Sequence, residues 1–213
     1  MTKERPILFS GAMVRAILDG RKTQTRRVVK PQGNYVQPDG IRNGIPLWVT
    51  DVRHKYGATT SLQCPYGQPG DRLWVRETWA QPAALDPGPT VYRADYPACV
   101  PAGFENVPPA DAITWKPSIH MPRAACRLVL EVTGVRVERL QDISYEDAIA
   151  EGMFDPGTIE STYPLTGETG EQLGRRLSHP QRSFAILWEE LNGAGAWEAN
   201  PWVWVIEFPR ING

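Results

Sequence analysis

Clusters of proline and glycine cut this chain into short pieces, and no other feature constrains its fold as much. Stretches near 31–68, 81–122 and 154–180 hold most of the 20 prolines and 19 glycines. Proline removes a backbone donor and glycine supplies turn conformations, so no long helix can cross them. The regular structure must be built from short elements in between.

Residues 6–9 read as an apolar strand, and Ser10 caps a helix whose Met13, Val14, Ile17 and Leu18 share one face. Gly20 ends that helix. Within 31–68 only Leu47-Trp48-Val49 reads as a strand. Gln68-Pro69-Gly70-Asp71 is a turn into a half-buried strand, where Leu73 and Val75 alternate with Arg72 and Arg76. The second interruption contains one strand-like piece, Thr90-Val91-Tyr92-Arg93. Along 127–140 the apolar parity switches at Gly134, which predicts a bulge or bend such as lets a strand wrap around a small barrel. Ser144 caps a short helix, with Asp147 three residues on and Ile143 packed on Ala148 as a staple, ending near Gly152. Phe184, Leu187, Trp188 and Leu191 fall at helical spacing before Asn192-Gly193. Residues 202–208 form a closing strand that is apolar on both faces.

The richest chemistry lies in Gly20-Arg21-Lys22-Thr23-Gln24-Thr25-Arg26-Arg27, just past the first helix. Neighbouring cations disfavour a charged ammonium, and partial burial adds to that, so Lys22 can lose its proton and act as base toward a nearby hydroxyl. Thr25 is the natural partner. In a helical turn Lys22 and Thr25 share a face; in a strand they point to opposite sides, and Lys22 pairs with Gln24 instead. The plain alternative is a solvated basic helix exit.

The chain of 213 residues has a formal net charge of -1 and a sequence pI of about 6.3, which excludes wholesale coating of nucleic acid. Cys64, Cys99 and Cys126 do not make a disulfide framework and suit a reducing cytoplasm. The start of the chain lacks the apolar core of a signal peptide, and no stretch is long and apolar enough to cross a bilayer. A soluble cytoplasmic protein without membrane partners is expected. Close His and Cys pairs of the kind zinc sites use are missing, as are phosphate-loop and dinucleotide fingerprints, so neither a metal nor another cofactor is expected.

The Gly-Arg-Lys-Thr-x-Thr run, the Pro69-Gly70-Asp71 turn into Leu73-Trp74-Val75, the strand from Leu128 and the helix ending Ala150-Glu151-Gly152-Met153 together resemble the ASCH domain family. The resemblance covers roughly half of the chain. It implies an α+β fold: a single ASCH domain over 1–213, built on a small PUA-like β-barrel with flanking helices and with insertions near 31–68, 81–122 and 154–180. The small bacterial N4-acetylcytidine amidohydrolases of this family use a lysine and a threonine three residues apart, with a glutamate from the later helix end. By that resemblance Lys22, Thr25 and Glu151 are the catalytic residues of a metal-independent hydrolase. Longer members also occur in phage and prophage genomes.

On that reading Thr25 attacks the acyl carbon on the exocyclic nitrogen of cytosine, and Glu151 orients Lys22 or activates water. Arg21, Arg26 or a backbone N–H stabilises the oxyanion, and Trp79, Trp115 or Trp197 stacks on the base. The partner is then a small modified nucleoside or free base. The alternative is a non-catalytic module for RNA or single-stranded DNA, in which Arg21, Lys22, Arg26, Arg27 and Lys30 contact phosphates.

Overall fold

A computed structural model describes residues 2–82, 85, 88–153 and 179–211. The insertion expected near 154–180 lies almost wholly outside them. The described residues form a mixed α+β fold of short strands in four sheets with three α-helices.

β1 (Glu4–Leu8) pairs in parallel with β6 (Arg72–Arg76), which pairs antiparallel with β9 (Val129–Glu131), and β9 pairs in turn with β12 (Arg210–Ile211). A second antiparallel sheet runs β10 (Gly134–Arg139), β11 (Trp202–Glu207), β2 (Gln24–Val28), with β2 at its edge. The chain passes from the first sheet to the second at Thr133–Gly134, where the parity switch predicted a bend, and returns at Phe208–Pro209. Among the described residues these sheets do not close into a barrel by backbone pairing.

The second sheet has two buried faces, as the double-apolar closing strand predicts. Trp204 and Ile206 face a core with Ile7, Phe9, Val14, Ile17, Leu73 and Leu130, whereas Val203 and Val205 face Leu140, Ala148, Phe184 and Trp188. The second face is covered by α2 (Tyr145–Ala150) and α3 (Pro180–Asn192).

The stretch 31–68 departs most from the sequence expectation. It is a three-stranded antiparallel sheet: β3 (Val36–Arg42), β4 (Ile45–Arg53) and β5 (Thr59–Leu62). Asn43 and Gly44, at φ 52° and 78°, make the two-residue turn that joins paired Arg42 and Ile45, the conformation an Asn-Gly hairpin favours. Pro38 and Gly40 are tolerated because β3 is an edge strand with a register shift between Pro38 and Ile41. Trp48 closes the main core edge-on to Trp204, ring centroids 4.8 Å apart. In the second interruption, β7 (Trp79–Ala80) pairs with β8 (Val91–Tyr92) over an apolar cluster of its own with Leu85 and Ile113.

Among the described residues, no helix is long and apolar enough to cross a membrane.

Candidate active site

Two helix ends that close in the same way build the site. In α1 (Gly11–Leu18), Ser10 Oγ caps the start by accepting from the Met13 N–H; at the end, Gly20 N–H donates to the Ile17 carbonyl and Arg21 N–H to that of Ala16. In α2, Ser144 Oγ accepts from Asp147 N–H, and Gly152 and Met153 N–H donate to Ile149 and Ala148 carbonyls. Both ends are Schellman motifs that need a left-handed residue, supplied by Gly20 (φ 74°) and Gly152 (φ 95°). A Cβ on Gly152 would lie 3.1 Å from Ala16 Cβ and 3.2 Å from Lys22 Cβ. The missing side chain is therefore what lets the two ends touch.

That contact is an antiparallel bridge between Lys22 and Glu151. Lys22 Nζ donates to Glu151 Oε2 at 2.6 Å, to the Glu151 carbonyl at 2.9 Å and to the Gln24 carbonyl at 2.7 Å. Three acceptors match the three N–H bonds of an ammonium, and the Glu151 carbonyl belongs to a helix C-terminus, which favours a cation. Burial nevertheless depresses the Lys22 pKa below that of an ordinary lysine; Glu151 opposes this and the charges of Arg27 and Arg26 assist it. Lys22, Thr25, Arg26 and Glu151 are 2, 1, 2 and 3 % exposed.

Strand alternation sends Lys22, Gln24 and Arg26 to the helix-covered face and Thr25 to the other, opposite Ile206. No hydrogen bond joins Lys22 to Thr25 among the described residues; Lys22 Nζ instead reaches the Gln24 backbone carbonyl.

Arg26 is the hub of the buried network. Its Nε donates to Glu138; one terminal nitrogen donates to Gln24 Oε1 at 2.7 Å and Glu151 Oε1 at 3.2 Å, the other to Glu138 and to Asp147 Oδ2 at 2.9 Å. All five guanidinium N–H bonds are used. The expected role of its side chain in holding substrate or an oxyanion is therefore corrected: this arrangement leaves it no donor. Arg136 joins Glu138, Asp147 and Glu207 to the same network. Although burial works against its charge, Asp147 stays below the usual carboxylate range because the Gln24 amide and the Arg136 and Arg26 guanidinium groups favour the anion.

Along the outer edge of β2 lies a cavity of about 360 Å³, lined by Phe9 and Ser10 from the start of α1, by Thr25, Arg27 and Glu151, and by Phe184, Leu187 and Trp188 of α3. Arg27 crosses its rim, donating to the Leu8 carbonyl at 2.7 Å with its guanidinium 5.4 Å from the Phe9 ring centre. Of the three expected catalytic residues, Thr25 and Glu151 line this cavity, and Lys22 stands behind Glu151.

The expected substrate-binding residues fare unevenly. Arg21 bonds Asp19 and the Gly152 carbonyl, fastening one helix end to the other. Trp79 is a buried strand residue, 6 % exposed, with Lys116 Nζ 4.6 Å from its ring centre; Thr78, not Trp79, reaches the cavity. Trp115 packs edge-on against Tyr96 and Trp197 against Phe184. Sequence reasoning missed Gln24, Glu138 and Asp147 as partners of Arg26. The i, i+2 set Lys22, Gln24, Arg26 is the signal for Gln24 and the i, i+4 pair Asp147, Glu151 that for Asp147; Glu138, on β10, has no such signal.

No family model matches the chain, and no curated protein or solved structure is significantly similar to it.

Proposed function

We propose that this protein is a metal-independent amidohydrolase that removes the acyl group from N4-acylated cytosine, as base or nucleoside, with Thr25 as nucleophile and the Lys22–Glu151 pair as its proton store. The observation that carries this reading is the buried 2.6 Å Lys22–Glu151 contact directly behind a cavity whose wall holds both Thr25 and Glu151. Thr25 Oγ1 attacks the acyl carbon, and its proton crosses the shared cavity to Glu151, the member of the pair that lines it. The pair passes that proton to N4 as the C–N bond breaks, leaving the free amine and an acyl-threonine. Water then attacks the ester, its proton passes through the pair to Thr25 Oγ1, and the acid departs. Burial depresses the Lys22 pKa, which makes its proton easier to give up than that of an exposed lysine. We assign the oxyanion to Arg27, a cation that lines the cavity beside Thr25, in place of Arg21 or Arg26.

On this reading the fold is a PUA-like barrel of ASCH type, supported by the two passages between sheets at Gly134 and Pro209. The three free cysteines suit a cytoplasmic protein. The nucleic-acid alternative is weakened by the burial of Lys22 and Arg26, which removes two of its five phosphate-contacting cations from the surface.

The test is to follow the long-wavelength absorbance of N4-acetylcytidine. Loss of that absorbance with the wild-type protein and not with Thr25→Val supports the proposal. Its persistence with wild type, alongside tight salt-labile binding to single-stranded RNA, would replace the enzyme by the binding module.

A further inference from the structure

The outer edge of β2 offers a second set of groups to the cavity, and they belong to the backbone. In an antiparallel ladder only every second residue points its N–H and C=O at the partner strand. Phe208 N–H donates to the Thr23 carbonyl and Val29 N–H to that of Trp202. Thr25, Arg27, Val29 and the Thr23 carbonyl therefore face β11, while the Thr23 N–H donates to the Ala150 carbonyl; Lys22, Gln24, Arg26 and Val28 face outward.

The upstream part of that edge is closed: Lys22 N–H donates to the Ala16 carbonyl, and the Gln24 carbonyl accepts Lys22 Nζ. At Arg26 and Val28, both on the cavity wall, no backbone group among the described residues pairs with the outer edge. Just past Val28 the strand ends. The open edge is thus two residues long, too short to seat an added peptide strand and long enough for one planar ring that carries a donor beside an acceptor. Aromatic rings stand on either side of it, Phe9 on one and Phe184 and Trp188 on the other.

The geometry points to the Arg26 carbonyl and the Val28 N–H as the reader of the base, with the carbonyl accepting from N4–H of a cytosine and the N–H donating to its N3. Both groups of the base survive N4-acylation, because the acylated nitrogen keeps one hydrogen. N4 then sits at Arg26, next to Thr25 in the chain. This inference rests on the proposed cytosine substrate and deepens it: specificity comes from a strand edge and from no side chain, and uridine, with its donor and acceptor exchanged, meets two mismatched groups.

Val28→Pro removes the reading N–H without touching the ladder, since that N–H does not face β11. Titration of the wild type with cytidine, followed by amide NMR, should move the Val28 resonance, and Val28→Pro should weaken cytidine binding at least about tenfold. On the wild type, 3-methylcytidine, whose N3 is blocked, should bind as poorly, which keeps the test valid if the proline variant misfolds. Cytidine binding with this pattern but no deacylation would sink the hydrolase and leave the base reader standing. Deacylation with 3-methylcytidine bound as tightly as cytidine, or a Val28 resonance moved by a short extended peptide and not by cytidine, would overturn the base reader.

Discussion

At the end of α2 a buried glutamate, Glu151, is held by a lysine; behind β6 another, Glu77, is held by an arginine. Arg127 grips both oxygens of Glu77 at 2.9 Å and both of Asp95 at 2.7 and 2.8 Å, with its guanidinium 4.0 Å from the Tyr92 ring centre. Burial works against the charge of Arg127, yet its hydrogen bonds to Glu77 and Asp95 hold its pKa above the ordinary value. Arg127 keeps its proton at any ordinary pH, whereas burial makes the Lys22 proton easier to lose than that of an exposed lysine. None of the Arg127 cluster lines the cavity that Glu151 and Thr25 share. Burial and ion pairing alone thus do not single out a candidate site; on the proposed reading, a proton-labile member and access to a cavity do.

The difference can be broken by mutation. Thr25→Val should lower deacylation by about three powers of ten or more while leaving thermal stability close to wild type, because a methyl replaces a hydroxyl of similar volume. Next, Lys22→Met should lower turnover by about 10²–10⁴-fold. Its cost in stability should be the smaller one, since Glu151 keeps its Arg26 contact. Arg127→Met should do the reverse: it strands Glu77 and Asp95, should cost about 3–5 kcal/mol in denaturant unfolding, and should leave kcat of the folded fraction near wild type. Equal losses of activity in the two methionine variants would erase the distinction.

A smaller effect appears in pH. Burial raises the Glu77 pKa, with Asp95 reinforcing and Arg127 opposing it. A raised carboxylate contributes stability that is present below its unfolded value and is lost as pH rises through its folded one. Glu77→Gln should therefore gain on wild type as pH climbs from near 4.5, measured by unfolding at a series of pH values; a constant difference would contradict the shift. Smallest is the glycine pair. Gly44→Ala, with open space around it, should cost about 1 kcal/mol from backbone conformation alone. Gly152→Ala should cost more and also slow turnover, because its Cβ pushes on Lys22.

Much of this architecture was legible where a local rule decides: the Ser10 and Ser144 caps, the glycines after α1 and α2, the bend at Gly134 and the two-faced closing strand. The β3–β4–β5 sheet was missed because Pro38 and Gly40 break its pattern, although Asn43-Gly44 signals the hairpin. The parallel pairing of β1 with β6 has no local signal, since it joins residues far apart in sequence. At the site, residue types point to Lys22 and Thr25, and Glu151 enters only with the family resemblance; which face Lys22 and Thr25 take depends on whether the chain past Gly20 is a turn or a strand. The strand buries Arg26 among carboxylates contributed by β10 and α2, and no spacing within the basic run foretells those partners.

The central claim is most directly tested by intact-protein mass spectrometry during turnover of N4-acetylcytidine. The account predicts a transient species heavier by one acetyl group, mapped to Thr25 and missing in Thr25→Val. Turnover with no acyl-protein, together with an active Thr25→Val variant, would contradict it.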